Sequence, residues 1–221
     1  MKVLGIDSAG SQCAAAVLDD EHVLAARAET MARGQAERLL PLIAETLAVA
    51  GVAPAALDLV AVTTGPGSFT GIRIGVAAAR GLALAAGRPA IGVGVFEAYA
   101  AAVPPAARRG RTLVVAVESK RDELYLQTFA ADGTAPAAQV LPAAAAAWLP
   151  PGPLLLAGDA AARLRTVLGG REAAIAPDTA AVDPGQVARL GRAHYLAGRR
   201  EPPRPFYLRA PDTTRPRRAA P

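Results

Sequence analysis

The densest concentration of potential chemistry lies at Gly65-Pro66-Gly67-Ser68-Phe69-Thr70-Gly71-Ile72-Arg73-Ile74-Gly75. This stretch leaves a predicted strand and opens a predicted helix, where free backbone N–H groups and the helix dipole favour an anion. Gly65 and Gly67 would let the backbone approach a phosphate, and Ser68 and Thr70 add hydroxyl donors. It is not a Walker A loop, because Arg73 does not stand in a Gly-Lys-Ser/Thr context. It also misses the dinucleotide spacing by one residue, with Thr70 where the third glycine belongs. A structural turn that packs the following helix is the competing reading, and spacing leaves both open. The second candidate is Asp7 with Ser8, Gly10 and Ser11 behind it. A carboxylate at a strand end beside a nucleotide organises metal and water, although Asp-Ser at a strand end also simply forms a turn.

The residues that are missing narrow the chemistry further. His22 and His194 are the only histidines and Cys13 the only cysteine, so the pattern excludes an intramolecular disulfide and a His/Cys metal cluster. Ser68 has no evident His or Lys base, which argues against a serine hydrolase. His194 reads as a packing or surface residue on an Arg-rich helix, and Glu118, Asp122 and Glu123 as a solvated turn. Asp7 interrupts the first apolar run, so the start of the chain does not read as a signal peptide. The residues alone therefore predict a soluble, cytoplasmic protein without a membrane segment. Its net charge of +5 is concentrated after residue 198, where seven arginines face only Glu201 and Asp212. The neutral body argues against a broad nucleic-acid face, while the basic tail reads first as a disordered, solubilising segment.

The elements that must position these residues follow from periodicity. Val3–Asp7 reads as a buried strand, and residues 13–18 and 22–29 as two more joined at Asp19-Asp20-Glu21. Residues 35–50 have helical spacing, with Leu39, Leu42, Ile43, Leu47 and Ala50 on one stripe, Leu40 off it, and Pro41 expected to kink it. Leu59–Thr63 is a strand, Thr70–Ala86 a helix stopped by Gly87, Ala90–Val95 a strand and 96–102 a short helix. In the second half, strands are expected at 113–117, 124–129 and 154–157, a turn at Asp132-Gly133, and helices at 161–168 and 184–197. The Ala run ending at Trp148 has helical composition. Both halves open with antiparallel strands and continue with alternating helix and strand, which predicts a structural duplication. The expected divisions are 1–103, 104–200 and a Pro/Arg-rich tail at 201–221, with the boundary at Pro104-Pro105. Gly71, Gly75 and Ala79 recur every fourth residue as a small-residue strip on a helix that is apolar nearly all round. One side of such a helix faces the sheet, and the other needs an internal neighbour or a partner. A partner interface is expected there.

The sequence resembles the TsaB (YeaZ) family. The resemblance rests on Leu4-Gly5-Ile6-Asp7-Ser8, on Gln35-Ala36-Glu37-Arg38-Leu39-Leu40-Pro41-Leu42-Ile43, and on the glycine motif of residues 65–75. Gly81-Leu82-Ala83 and Tyr207-Leu208-Arg209-Ala210-Pro211 extend it, while residues 105–200 contribute little. One departure stands at Gln35-Ala36, where the family commonly has His-Ser. The resemblance implies an α/β, actin-like (ribonuclease-H-like) fold of two similar subdomains. It implies a non-catalytic subunit that activates TsaD, the transferase that threonylcarbamoylates the adenosine beside the anticodon in tRNAs reading ANN codons. TsaD holds a metal through two histidines four apart, a pair this sequence lacks. The family pairs through its two N-terminal helices, which here carry Arg38, Leu39, Leu42, Ile43, Gly71, Arg73, Ile74, Gly75, Ala78 and Ala79. It also implies homodimers through the same surface, an ATPase partner TsaE, tRNA reached through the complex, and ATP or ADP near the TsaD contact. A glycoprotease reading finds no nucleophile–base pair. The alternative function is an actin-like small-molecule kinase or ATPase built on Asp7 and the Gly65–Gly71 loop.

Overall fold

The computed structural model describes residues 1–130, 135–142 and 148–209. The chain opens as a three-strand meander, β1 (Lys2–Asp7), β2 (Gln12–Asp19) and β3 (His22–Thr30). Then come α1 (Gln35–Ala50), β4 (Leu59–Thr63), α2 (Phe69–Ala86), β5 (Ala90–Val93) and α3 (Val95–Ala102). The first sheet has the order β3-β2-β1-β4-β5, with β4 and β5 parallel to β1. The second half repeats the plan with β6 (Thr112–Glu118), β7 (Glu123–Phe129), β8 (Gln139–Pro142), β9 (Leu154–Ala157), α4 (Ala161–Val167), β10 (Ala173–Ile175) and α5 (Pro184–Leu196). Its sheet runs β10-β9-β6-β7-β8, the same order read from the other edge. This repeated mixed sheet flanked by helices is the actin-like fold. The expected turn at Asp132-Gly133, the Ala run before Trp148 and the arginines beyond residue 209 lie outside the described residues.

Burial explains why the strands read as continuous apolar runs. Residues 3–7 of β1 and all of β4 are buried, because helices cover the first sheet on both faces. Adjacent residues of β4 mark the two faces: Val62 lies against Gly75 of α2, and Ala61 lies beneath Gly191 of α5. The helix from 184 to 196 thus crosses back onto the first sheet, packing on β1, β4 and β2. A side chain at Gly5 would run into the Pro184 carbonyl and the backbone of Ala188. Gly5 and Gly191 are therefore what let α5 sit so low. Asp183 caps this helix, its Oδ1 accepting from the Gly185 N–H at 2.8 Å.

Helix α1 runs unbroken past Pro41, whose ring lies on the exposed side, and stops at Gly51 in the left-handed region. The apolar stripe divides as its spacing predicted. Leu39, Leu42 and Ile43 are buried, while Leu40 is half exposed at 51%. Helix α2 is long and apolar enough to cross a membrane by length and composition, yet one face of it packs on the sheet. Cys13 is a buried core thiol in β2, as its apolar neighbours indicated.

Candidate functional site

The Asp7 turn and the glycine loop meet at the ends of β1 and β4. The Ser68 N–H donates to the Ala9 carbonyl at 2.7 Å, and the Ser8 hydroxyl donates to the Gly71 carbonyl at 2.9 Å. Ser68 also caps α2, its Oγ accepting from the Gly71 N–H at 3.3 Å. Gly67, in the left-handed region at φ 156°, lies where any Cβ would strike the Ala9 carbonyl. Gly71 has no room for a side chain against the Ser8 carbonyl. The glycines thus bring one loop onto the backbone of the other, and the close approach that a phosphate would need is taken by Ser8 and Ala9. Thr70 stays exposed on the first turn of α2, and Gly65 lies under the Phe206 carbonyl.

Asp7 is buried at 1% exposure and accepts three hydrogen bonds. Its Oδ1 takes the Thr63 hydroxyl at 2.7 Å and the Ala9 N–H at 3.1 Å, and its Oδ2 takes the Gln12 amide at 2.9 Å. Burial pushes the carboxyl above the usual range, and these donors pull it part of the way back. Gln12 in turn donates to the Val182 carbonyl at 2.7 Å, joining the Asp7 network to the segment that enters α5.

Sequence reasoning missed the other wall. A cleft of about 470 Å³ lies between the halves, lined on one side by residues 66–70 and on the other by the turn Glu118-Ser119-Lys120-Arg121. A second, smaller cavity of about 310 Å³ shares Ser68, Glu118 and Lys120 with it and is lined by Asp159, just past β9, together with Gly10 and Ser11. The Asp159 Oδ1 accepts the Glu118 N–H at 2.9 Å. Burial first, then the negative charges of Glu118 and Asp7, push its carboxyl up to about 6. The acidic trio of the second half is partly committed: Glu118 pairs with Arg163 at 3.0 Å and Glu123 with Arg209 at 2.8 Å. His194 is buried on α5 with its Nε2 2.7 Å from Glu97, and His22 begins β3 on the exposed side. The two histidines lie on separate elements, β3 and α5.

The outer surface carries a second feature, a groove of about 460 Å³ between α1 and α2. Its lining is wholly apolar and includes Leu39, Leu40, Ile74, Ala78 and Leu82. Val49 and Leu84, at 63% and 84% exposure, extend the apolar surface of the two helices. The small-residue strip expected to meet a partner is not part of this face. Gly71, Gly75 and Ala79 are buried and point inward, with Gly75 only 2.5 Å short of the Ser8 hydroxyl once a Cβ is added. The reason is the 3.6-residue period: positions 71, 75 and 79 share the row that meets the sheet, whereas 74, 78 and 82 share the row beside α1. Leu42 and Ile43 likewise belong to the core, and Arg38 is held by Glu29 at 2.6 Å and Glu45 at 2.7 Å. Of the expected contact residues, Ile74 and Ala78 remain half-buried on the outer face, Arg73 is exposed, and Leu39 forms the groove floor.

Comparison with known proteins agrees with this geometry. Residues 24–163 match the TsaD family, described as tRNA N6-adenosine threonylcarbamoyltransferase. The Escherichia coli tRNA threonylcarbamoyladenosine biosynthesis protein TsaB is 35% identical over 133 residues, 60% of this chain and 56% of that protein. The structure of YeaZ from Pseudomonas aeruginosa superimposes with a TM-score of 0.76 at 26% identity, covering 94% of this chain and 99% of that one. The chain belongs to the TsaD family, on its TsaB (YeaZ) branch. An uncharacterised protein of Mycobacterium tuberculosis is 35% identical over 214 residues, 95% of this chain and 92% of its own. The first curated relatives with an assigned role are covered over only 25% to 56% of their length. The TsaB-like likeness thus extends in structure over 94% of this chain, well beyond the motifs.

Proposed function

We propose that this TsaB-like chain acts in tRNA threonylcarbamoyladenosine biosynthesis as a subunit that docks and activates a TsaD-like transferase, and is not itself the transferase. The observation that carries this reading is the apolar groove between α1 and α2, with Leu40 exposed at its rim and no charged residue in its lining. Such a contiguous apolar patch on one face marks a protein contact. In this reading the transferase threonylcarbamoylates the adenosine next to the anticodon in tRNAs reading ANN codons, and tRNA meets this chain only through the complex. A TsaE-like ATPase joins the pair in the cytoplasm, with ATP or ADP near the transferase contact, and a second copy of the chain competes for the same groove. The kinase or ATPase reading would set Asp7 at a nucleotide. That carboxylate is instead sealed beneath three donors.

The test is to mix the purified chain with its cognate TsaD-like transferase, follow complex formation by size exclusion, and assay threonylcarbamoyl transfer. A complex with activity that neither protein has alone is expected, and Leu40→Glu should abolish both while the variant melts like the parent. Pairing by Leu40→Glu with unchanged affinity would remove the groove from the interface.

A further inference from the structure

We infer that Arg73 is a preorganised carboxylate receptor at the end of the α1/α2 groove, fitted to an Asp or Glu side chain of the docking partner. The inference rests on the reading that this groove is where the partner docks. Helix geometry places Arg73 on the same row as Ala77, Gly81 and Ala85, each one turn further along, and all three of those line the groove. The apolar row therefore ends in a single cation.

That cation is held rather than free to wander. Its guanidinium carbon lies 3.8 Å from the centre of the Phe69 ring, one turn back on α2. Its Nε donates to the Tyr207 hydroxyl at 3.0 Å. Tyr207 is fixed in turn, its ring 4.8 Å from that of Phe69. The Phe206 N–H donates to the Thr64 carbonyl at 2.7 Å, and Arg209 pairs with Glu123 at 2.8 Å. Residues 206–209 thus form a strap from the glycine loop to β7, with Tyr207 at its middle. The strap takes the Nε of Arg73 through Tyr207, and Phe69 of α2 lies against the guanidinium carbon. Neither Nη has a hydrogen-bond or ion-pair partner among the described residues.

A guanidinium whose two Nη groups point as a fork, with its plane fixed by an aromatic face, matches a carboxylate better than a lysine ammonium would. The ordering cost of a long side chain is already met before binding, which favours affinity. Arg38, the other arginine expected at this face, offers nothing comparable. Its three nitrogens are committed to Glu29 and Glu45.

The experiment titrates the full chain with the cognate transferase at two salt concentrations, for the parent and for Arg73→Gln, Arg73→Lys, Tyr207→Phe and Leu40→Glu. Arg73→Gln is expected to weaken binding about thirtyfold and to flatten its salt dependence. Arg73→Lys should recover at most about a third of that loss on a logarithmic scale, because the fork and the stacking are gone. Tyr207→Phe, which removes only the hydroxyl that holds Nε, should weaken binding about threefold. A Glu or Asp on the transferase that restores Arg73→Glu when changed to Arg would identify the acceptor. If Leu40→Glu abolishes pairing but Arg73→Gln binds like the parent, the receptor inference is overturned and the groove reading stands. If Leu40→Glu binds like the parent, the groove reading itself fails, and the inference falls with it.

Discussion

Replacing Asp159 by Asn tests whether the inter-half cleft holds a carboxyl against its preference. Burial, with Glu118 and Asp7 nearby, raises the folded-state carboxyl from its ordinary 3.8 to about 6. The sign follows from linkage. A carboxyl with a raised folded pKa binds its proton more tightly in the folded state, so its stabilising contribution is complete below 3.8 and lost as pH rises through 6. The whole difference is worth about 3 kcal/mol at roughly 1.36 kcal/mol per unit. Between pH 7.5 and pH 5 the integrated part is about 1.4 kcal/mol. Asn keeps an oxygen to accept the Glu118 N–H that now meets Oδ1, so the loop geometry is retained. Urea unfolding at the two pH values should therefore show Asp159→Asn ahead of the parent by about 1.4 kcal/mol more at pH 7.5 than at pH 5. Using the difference between the proteins cancels the titrating groups that do not interact with Asp159. A gap that stays constant across the two pH values would refute the burial argument.

Two further outcomes follow from the packing. Gly71→Ala should destabilise the fold by several kcal/mol, on the order of the larger core substitutions, because the new methyl meets the Ser8 carbonyl. An unchanged urea midpoint would mean that the two loops are not closed on each other. Cys13 should resist thiol reagents at pH 8 in the folded protein and react rapidly in urea, since burial pushes its thiol up to about 11. Native reactivity at the rate of a free thiol would contradict the burial of β2.

Much of this was legible in the sequence because local rules agreed with the global fold. The glycine stop read at Gly87 does end α2, in the left-handed region. The runs at 3–7, 59–63 and 154–157 read as strands because apolar burial on both faces leaves no alternation to confuse the assignment. What escaped the sequence was direction. A small-residue strip such as Gly71, Gly75 and Ala79 says only that something comes close, and both a sheet and a partner helix satisfy that. The neighbour proved to be Ser8, more than sixty residues earlier, through a hydrogen bond to the Gly71 carbonyl. The strand β8 was missed because its four residues, Gln139–Pro142, show no alternation and end in proline. Asp159 was missed because an isolated Gly-Asp after a short strand is also an ordinary turn former.

The two loops that most suggested nucleotide chemistry position the start of α2 and its outer face. In an open phosphate site, Gly67 and Gly71 would spend their missing side chains on a ligand. Here they spend them on Ala9 and Ser8, which draws the start of α2 down onto β1. The same turn of helix then carries Phe69 and Arg73 to the surface, where Tyr207 of the strap receives both. A loop sealed in this way is rigid, and rigidity at its base is what a fixed cation at the end of the groove requires. Gly67 and Gly71 of the motif thus have packing roles within the chain. Loosening the motif at Gly71 should be felt at Arg73 and Tyr207 before it is felt at Asp159, on the far side of the cleft. Amide exchange in Gly71→Ala would display that order, and faster exchange confined to residues 158–160 would reverse the argument.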